Sequence, residues 1–177
     1  MTDVVLRPMT PQDLDDVLAL QAQGYPAALH DSADAFLSRM ALAPGLNLVA
    51  RQGDYLRGYL VSHPWRAGSP PPVDAVLPAS APQDCWYVHD LSVAEAARGL
   101  GLARRLLIAG RDAASDLGLS RAELIAVEGA APFWRRQGWS LPAIISPDLA
   151  AKVAGYGPSA VFMTCENLSL IGAPPRG

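Results

Sequence analysis

The stretch from Trp86 to Leu107, WYVHDLSVAEAARGLGLARRLL, limits what the chain can fold into more than any other. Trp86, Tyr87, Val88, Leu91 and Val93 make an apolar run that reads as a buried strand, and a short polar segment leads from it to Arg98-Gly99-Leu100-Gly101-Leu102-Ala103. The period then becomes helical. Ala103, Leu106, Leu107, Gly110, Ala113, Ala114 and Leu117 share one face, while Arg104, Arg105, Arg111, Asp112 and Asp116 share the other. The glycines therefore stand where a strand turns into a helix N-terminus. The first turn of a helix has N–H groups without intrahelical partners and the positive end of the macrodipole, so it suits an anion. Gly99, Gly101 and Ala103 leave little side chain between those N–H groups and a phosphate, and Arg98 and Arg104 can add charge-assisted contacts. The competing reading is a tight turn and nothing more.

Two other phosphate loops fail here. A Walker loop needs a Gly-Lys-Ser/Thr ending, and no lysine follows; the dinucleotide fingerprint needs a small residue where Arg104 stands.

Arg98-x-x-Gly101-x-Ala103 resembles the Gln/Arg-x-x-Gly-x-Gly/Ala signature of the GNAT acetyltransferase superfamily, and Leu91-Ser92-Val93 resembles the strand end that precedes it. Downstream, Phe133-Trp134-Arg135-Arg136-Gln137-Gly138-Trp139 is similar to the family's Phe-Tyr-x-x-x-Gly-Phe segment. The opening is similar too: a short strand ending near Arg7-Pro8, then Thr10-Pro11-Gln12-Asp13 and a helix.

Taken in order, Val4–Arg7 predicts a strand, and Thr10-Pro11 caps a helix with Leu14, Val17, Leu18 and Leu20 on its apolar face. Ser32–Leu42 predicts a second helix. Leu46–Ala50 and Tyr55–Ser62 read as paired strands around Gln52-Gly53-Asp54, with His63-Pro64-Trp65 ending the second. Residues 66–84 are a long Pro-rich loop, either a substrate lid or a tolerated surface insertion. Arg121–Val127 predicts a strand buried on both faces, Pro132–Gln137 a short helix, Tyr156–Glu166 the last strand, and 172–177 a frayed tail. The resemblance implies one α/β (α+β) domain over 1–177: a mixed, mostly antiparallel sheet of six to seven strands with about four flanking helices, splayed between the strands of Leu91 and Leu124.

Composition narrows the partners. A net charge of −3 gives no reason to expect nucleic acid, and no stretch approaches a membrane span. Met1-Thr2-Asp3 lacks the basic start of a secretory leader, so a cytoplasmic chain is expected. Cys85, Cys165 and three histidines show no zinc spacing. Nothing decides between monomer and homodimer.

The resemblance implies acetyl-CoA as cosubstrate, held by Leu91, Ser92, Val93, the turn from Arg98 to Arg104, and Phe133 and Trp134. In that pattern the N–H groups of Leu91 and Val93 bind the pantetheine amides, and Leu91 N–H polarises the thioester. The reaction implied is acetyl transfer to an amine, which at neutral pH is mostly protonated (alkylammonium pKa ~10) and needs a base. Strand alternation places Tyr87, His89 and Leu91 on one face unless a bulge intervenes, so His89 is the base candidate; its other reading is a buried histidine satisfied by a carbonyl. Arylalkylamine N-acetyltransferases carry a histidine at that place and a tryptophan at that of Trp65. Asp90 and Glu128 are the other base candidates, with Asp90 read as structural. Trp134 replaces the tyrosine that usually protonates the thiolate and cannot transfer a proton, so either another group, Tyr87 or Tyr156, does that task or CoA leaves as a thiolate stabilised by the helix end. Tyr25, Trp65 and Glu128 are expected beside the acceptor, and by resemblance so is the region of Leu29-His30-Asp31. The expected acceptor is the amine of a small molecule; the alternatives are a protein or peptide amine, and a non-catalytic acyl-CoA sensor.

Overall fold

A computed structural model describes residues 3–173. Six strands form one sheet in the order of the chain: β1 (Val5–Pro8), β2 (Leu48–Gln52), β3 (Tyr55–Trp65), β4 (Cys85–Val93), β5 (Ala122–Ala126) and β6 (Val161–Cys165). Neighbours are antiparallel except β4 and β5, which run parallel because α3 (Leu102–Asp116) carries the chain back between them.

Alternation along the strands divides the core. Leu48, Ala50, Leu60, Trp86, Val88 and Leu124 pack beneath Leu102, Leu106, Leu107 and Ala114 of α3. Their neighbours Val49, Tyr59 and Val61 face Val17, Leu20, Phe36 and Met40 from α1 (Leu14–Gly24) and α2 (Ala33–Leu42). At Gly110 α3 lies so close to the sheet that a Cβ would stand 2.5 Å from Leu60 Cδ2 and 2.8 Å from Trp86 Cζ2. Close packing there needs the missing side chain.

Beyond β5 come α4 (Ala131–Arg136) and α5 (Pro147–Ala154). The five helices exceed the expected four because of α5: Ser146 caps it, and Leu149 and Val153 cover Phe162. β3 ends at Trp65, within the His63-Pro64-Trp65 end expected for it, and Trp65 pairs with Cys85; residues 66–84 thus interrupt the end of a hairpin. The last strand is shorter than expected. Gly172 and Ala173 are hydrogen-bonded to Gln137 and Leu170, whereas the rest of the expected tail, 174–177, lies outside the described residues. Among the described residues no helix is long and apolar enough to cross a membrane, and no group of three or more His, Cys, Asp or Glu side chains could hold a metal.

Two irregularities of β4 shape the site. First, Val61 pairs with Asp90 but Ser62 pairs with Val88, so His89 is an extra residue without an opposite number. Second, β4 and β5 pair only at Trp86–Ala122 and Tyr87–Glu123, after which β5 stays with β6 as far as Ala126. The two strands separate beyond Tyr87.

Candidate active site

A cavity of about 640 Å³ occupies the gap between the separated strands. Val88–Val93 of β4 form one wall, and Ile125, Val127, Glu128, Phe133 and Trp134 form the other. One end is floored by Arg98 and Ala103 where α3 begins; the other is closed by Tyr25, Leu29, Asp31, Val73 and Tyr156.

At the α3 end, Gly99 (φ +82°) and Gly101 (φ +70°) take left-handed backbone conformations that a side chain would strain. Gly101 is the N-cap, and its carbonyl accepts from Arg105 N–H. The N–H groups of Leu102, Ala103 and Arg104 therefore precede the helical ladder. Leu102 turns its side chain into the core, and the Arg104 guanidinium donates to the Gly172 carbonyl. Arg98 is the cation that lines the cavity, while Gly99, Leu100 and Gly101 offer exposed backbone beside it.

At the other end the bulge reverses the expected alternation. Leu91 and Val93 pack toward α3, whereas His89 and Asp90 both turn to the α1/α2 side of the sheet, so His89 and Leu91 are not on one face. The cause is the unpaired residue, since each position beyond it is shifted by one. His89 Nε2 lies 2.5 Å from Asp31 Oδ2, and Nδ1, buried, has no hydrogen-bond partner among the described residues. Burial works against the Asp31 charge, but the hydrogen bond and charge of His89, the charge of Arg39 (3.6 Å) and the Asp74 N–H (2.7 Å) outweigh it and hold the carboxyl at about 2.

Asp90, re-aimed by the bulge, accepts from Tyr59 Oη at 2.6 Å. Burial pushes its carboxyl up, against the pull of the Tyr59 bond. Tyr25 donates to the Leu91 carbonyl at 3.1 Å and lines the cavity beside Asp90.

Of the expected residues, His89, Leu91, Ser92, Val93, Arg98, Ala103, Phe133, Trp134, Tyr25 and Glu128 line the cavity. Glu128 is exposed and takes a left-handed conformation at φ +50°. Trp134 is buried, with its ring 5.1 Å from Phe133 and 5.2 Å from Trp139. Tyr87 and Trp65 are not among the lining residues. Tyr87 is wholly buried behind the wall, and Trp65 donates to the Ser69 carbonyl at 2.7 Å and faces a second cavity of about 470 Å³ under the Pro-rich loop. Tyr156 lines both cavities; burial pushes its hydroxyl up to about 12, and it donates to the Pro71 carbonyl.

Leu29 and Asp31, expected beside the acceptor only as part of the Leu29-His30-Asp31 region, line the cavity, and so does Val73, for which the sequence carries no expectation. Asp31 had a signal in its place beside the α2 cap, but Val73 reaches the cavity through a loop of no local pattern. That loop is a pinned strap. Asp74 Oδ1 accepts from Ser32 N–H at 2.7 Å, Leu77 N–H donates to Ser38 Oγ at 2.9 Å, and Gly68 N–H donates to Glu123 at 2.8 Å.

The sequence profile of the acetyltransferase (GNAT) family matches residues 14–139. No curated protein sequence matches the chain. Among solved structures, it is similar to the loading GNATL domain of CurA from Lyngbya majuscula (TM-score 0.72, 12% identity, covering 94% of this chain and 98% of that one). It is also similar to Ard1 from Thermoplasma volcanium (TM-score 0.68, 14% identity, 91% and 95% covered). A third similar structure is N-acetylglutamate synthase from Neisseria gonorrhoeae complexed with coenzyme A and N-acetyl-glutamate (TM-score 0.69, 16% identity, 94% and 36% covered).

Proposed function

From the premise that the chain belongs to the acetyltransferase (GNAT) family, we propose that it moves an acetyl group from acetyl-CoA to the primary amine of a small molecule. The observation that carries this reading is a single cavity that joins the start of α3 to His89 and is covered at the His89 end by the strap.

The residues fit the cosubstrate. The left-handed glycines and free N–H groups at the start of α3 suit a pyrophosphate, with Arg98 beside them. Among the described residues, the edge of β4 that faces β5 has no strand partner past Tyr87, which supports the N–H groups of Leu91 and Val93 as donors to the pantetheine arm. Bound there, acetyl-CoA supplies an activated acyl group. Leu91 N–H is assigned to the thioester carbonyl and Trp134 to packing along the arm. His89 Nδ1 takes the ammonium proton, freeing the nitrogen lone pair for attack. Of the two hydroxyls considered for the thiolate, Tyr156 is the one on the cavity wall.

The charge of the wall suits a cation. Among the described residues lining the cavity, Asp31, Asp90, Glu95 and Glu128 are acids and Arg98 stands at the phosphate end. Val73 of the strap lines the acceptor end of the cavity, which supports a compact amine over a peptide. The test is acetyl-CoA-dependent thiol release with a panel of alkyl- and arylalkylamines, amino acids and N-terminal peptides. Turnover of a small amine is expected; turnover of peptides alone, or CoA binding with no turnover, overturns the reading.

A further inference from the structure

The buried Asp31 is held from several directions and joins parts of the molecule that are far apart in sequence. It precedes the Ser32 cap of α2 and is itself buried. One oxygen, Oδ1, accepts the Asp74 N–H from the strap at 2.7 Å and faces Arg39 Nη2 at 3.6 Å; the other, Oδ2, meets His89 Nε2 at 2.5 Å. Gln21 fixes the backbone on either side of the side chain, accepting Asp31 N–H at 2.9 Å and donating to its carbonyl at 3.0 Å.

A carboxylate that only accepts decides which nitrogen of a neutral imidazole carries the proton. Beside Asp31, Nε2 is the donor and Nδ1 keeps the lone pair. Nδ1 is the atom left buried without a partner, on a residue that lines the cavity. A buried polar atom without a partner is costly, so a ligand proton meeting Nδ1 gains what the free protein lacks.

We propose that Asp31 is a positioning residue for the base: it fixes the Nε2–H tautomer of His89, aims Nδ1 at the acceptor amine, and stabilises the imidazolium after proton transfer. This rests on the acetyltransferase reading above. In the step, one N–H bond of the ammonium breaks and its proton goes to Nδ1, the freed lone pair forms the new N–C bond to the acetyl carbon as the C–S bond gives its electrons to the departing sulfur, and the second proton that leaves the nitrogen goes to that thiolate, so that a neutral amide and the CoA thiol remain. Asp31 stays ionised throughout. The strap takes part in holding it, because Asp74 donates its N–H to Asp31 and accepts Ser32 N–H through its own carboxylate. A left-handed backbone at Asp74 (φ +60°) makes that double contact. The groups facing His89 are Asp31 and, behind it, Arg39 from the α2 side, His63 from β3, and Tyr87 and Asp90 on its own strand.

The experiment compares wild type, Asp31→Asn, His89→Ala and the double variant for kcat, KM and the pH dependence of kcat/KM with the best amine of the panel, alongside CoA titration. Expected for Asp31→Asn are an acid limb displaced to lower pH, a kcat lower by about 10- to 100-fold, and unchanged CoA affinity. In the His89→Ala background the same change adds little, because the two residues act as a unit. A uniform loss at every pH, or full additivity, overturns the assignment. Should Asp31→Asn fail to fold, nitrogen NMR of the wild-type imidazole still decides: a neutral His89 protonated on Nε2 upholds it, and one protonated on Nδ1 overturns it. A wild type without amine turnover defeats the acetyltransferase reading instead, whichever tautomer is seen.

Discussion

At Asp31 a single carboxylate serves stability besides the orienting role proposed for it. Arg39 is fully buried, and besides the Ala75 carbonyl at 3.2 Å its compensation comes from Asp31. Native pairing lowers the Asp31 carboxyl from 3.8 to about 2, so the native state binds its proton less readily than the unfolded chain. The resulting stability, about 2 to 3 kcal/mol, is present in full above the unfolded value and lost as pH falls from about 4 toward 2. Urea unfolding across that range is expected to show wild type losing stability that Asp31→Asn, already less stable at neutral pH, does not lose. Parallel curves for the two proteins would contradict this. In the sequence, His89 was legible as a titratable group in a strand near the expected acetyl site. Its partner was not, because contact between residue 31 and residue 89 depends on how α2 seats against the sheet.

The elements divide in the same manner. The strand, left-handed glycine turn and α3 were readable because period and turn chemistry are local: β4 ends at Val93 and α3 begins at Leu102. The bulge at His89 was not, since it exists only against β3, where two residues span three. Helix α5 was overlooked although Ser146-Pro147 repeats the cap-and-proline signal of Thr10-Pro11; exposed Ile144 and Ile145 obscured its amphipathic pattern. The strap is the clearest case of tertiary context deciding where composition does not. Its composition leaves open whether it is ordered or mobile, and it is pinned to α2 through Asp74 and Leu77 and to the α5 side through Ser69 and Pro71. Because Trp65 pairs directly with Cys85, residues 66–84 can be replaced by a two-residue hairpin turn without stretching the strands. That variant is expected to fold and bind CoA, to raise KM for small amines, and to accept peptides that wild type refuses. Unchanged KM and selectivity would remove the strap from the account.

For the whole molecule, the splay between β4 and β5 matters most. The sheet gives up the pairing of β4 with β5 beyond Tyr87 and the vacated edge becomes a wall of the cavity, with the proposed cosubstrate contacts at the α3 end and the proposed proton transfer at the Asp31 end. The most direct measurement is therefore paired CoA calorimetry and amine turnover on Gly101→Val and His89→Ala. Gly101→Val, which forces a β-branched residue to φ +70°, is expected to weaken CoA binding about tenfold or more; His89→Ala is expected to bind CoA as wild type does and to lose turnover by about 100-fold or more. If His89→Ala keeps wild-type turnover, or Gly101→Val binds CoA undiminished, the two ends of the cavity do not carry the roles given to them.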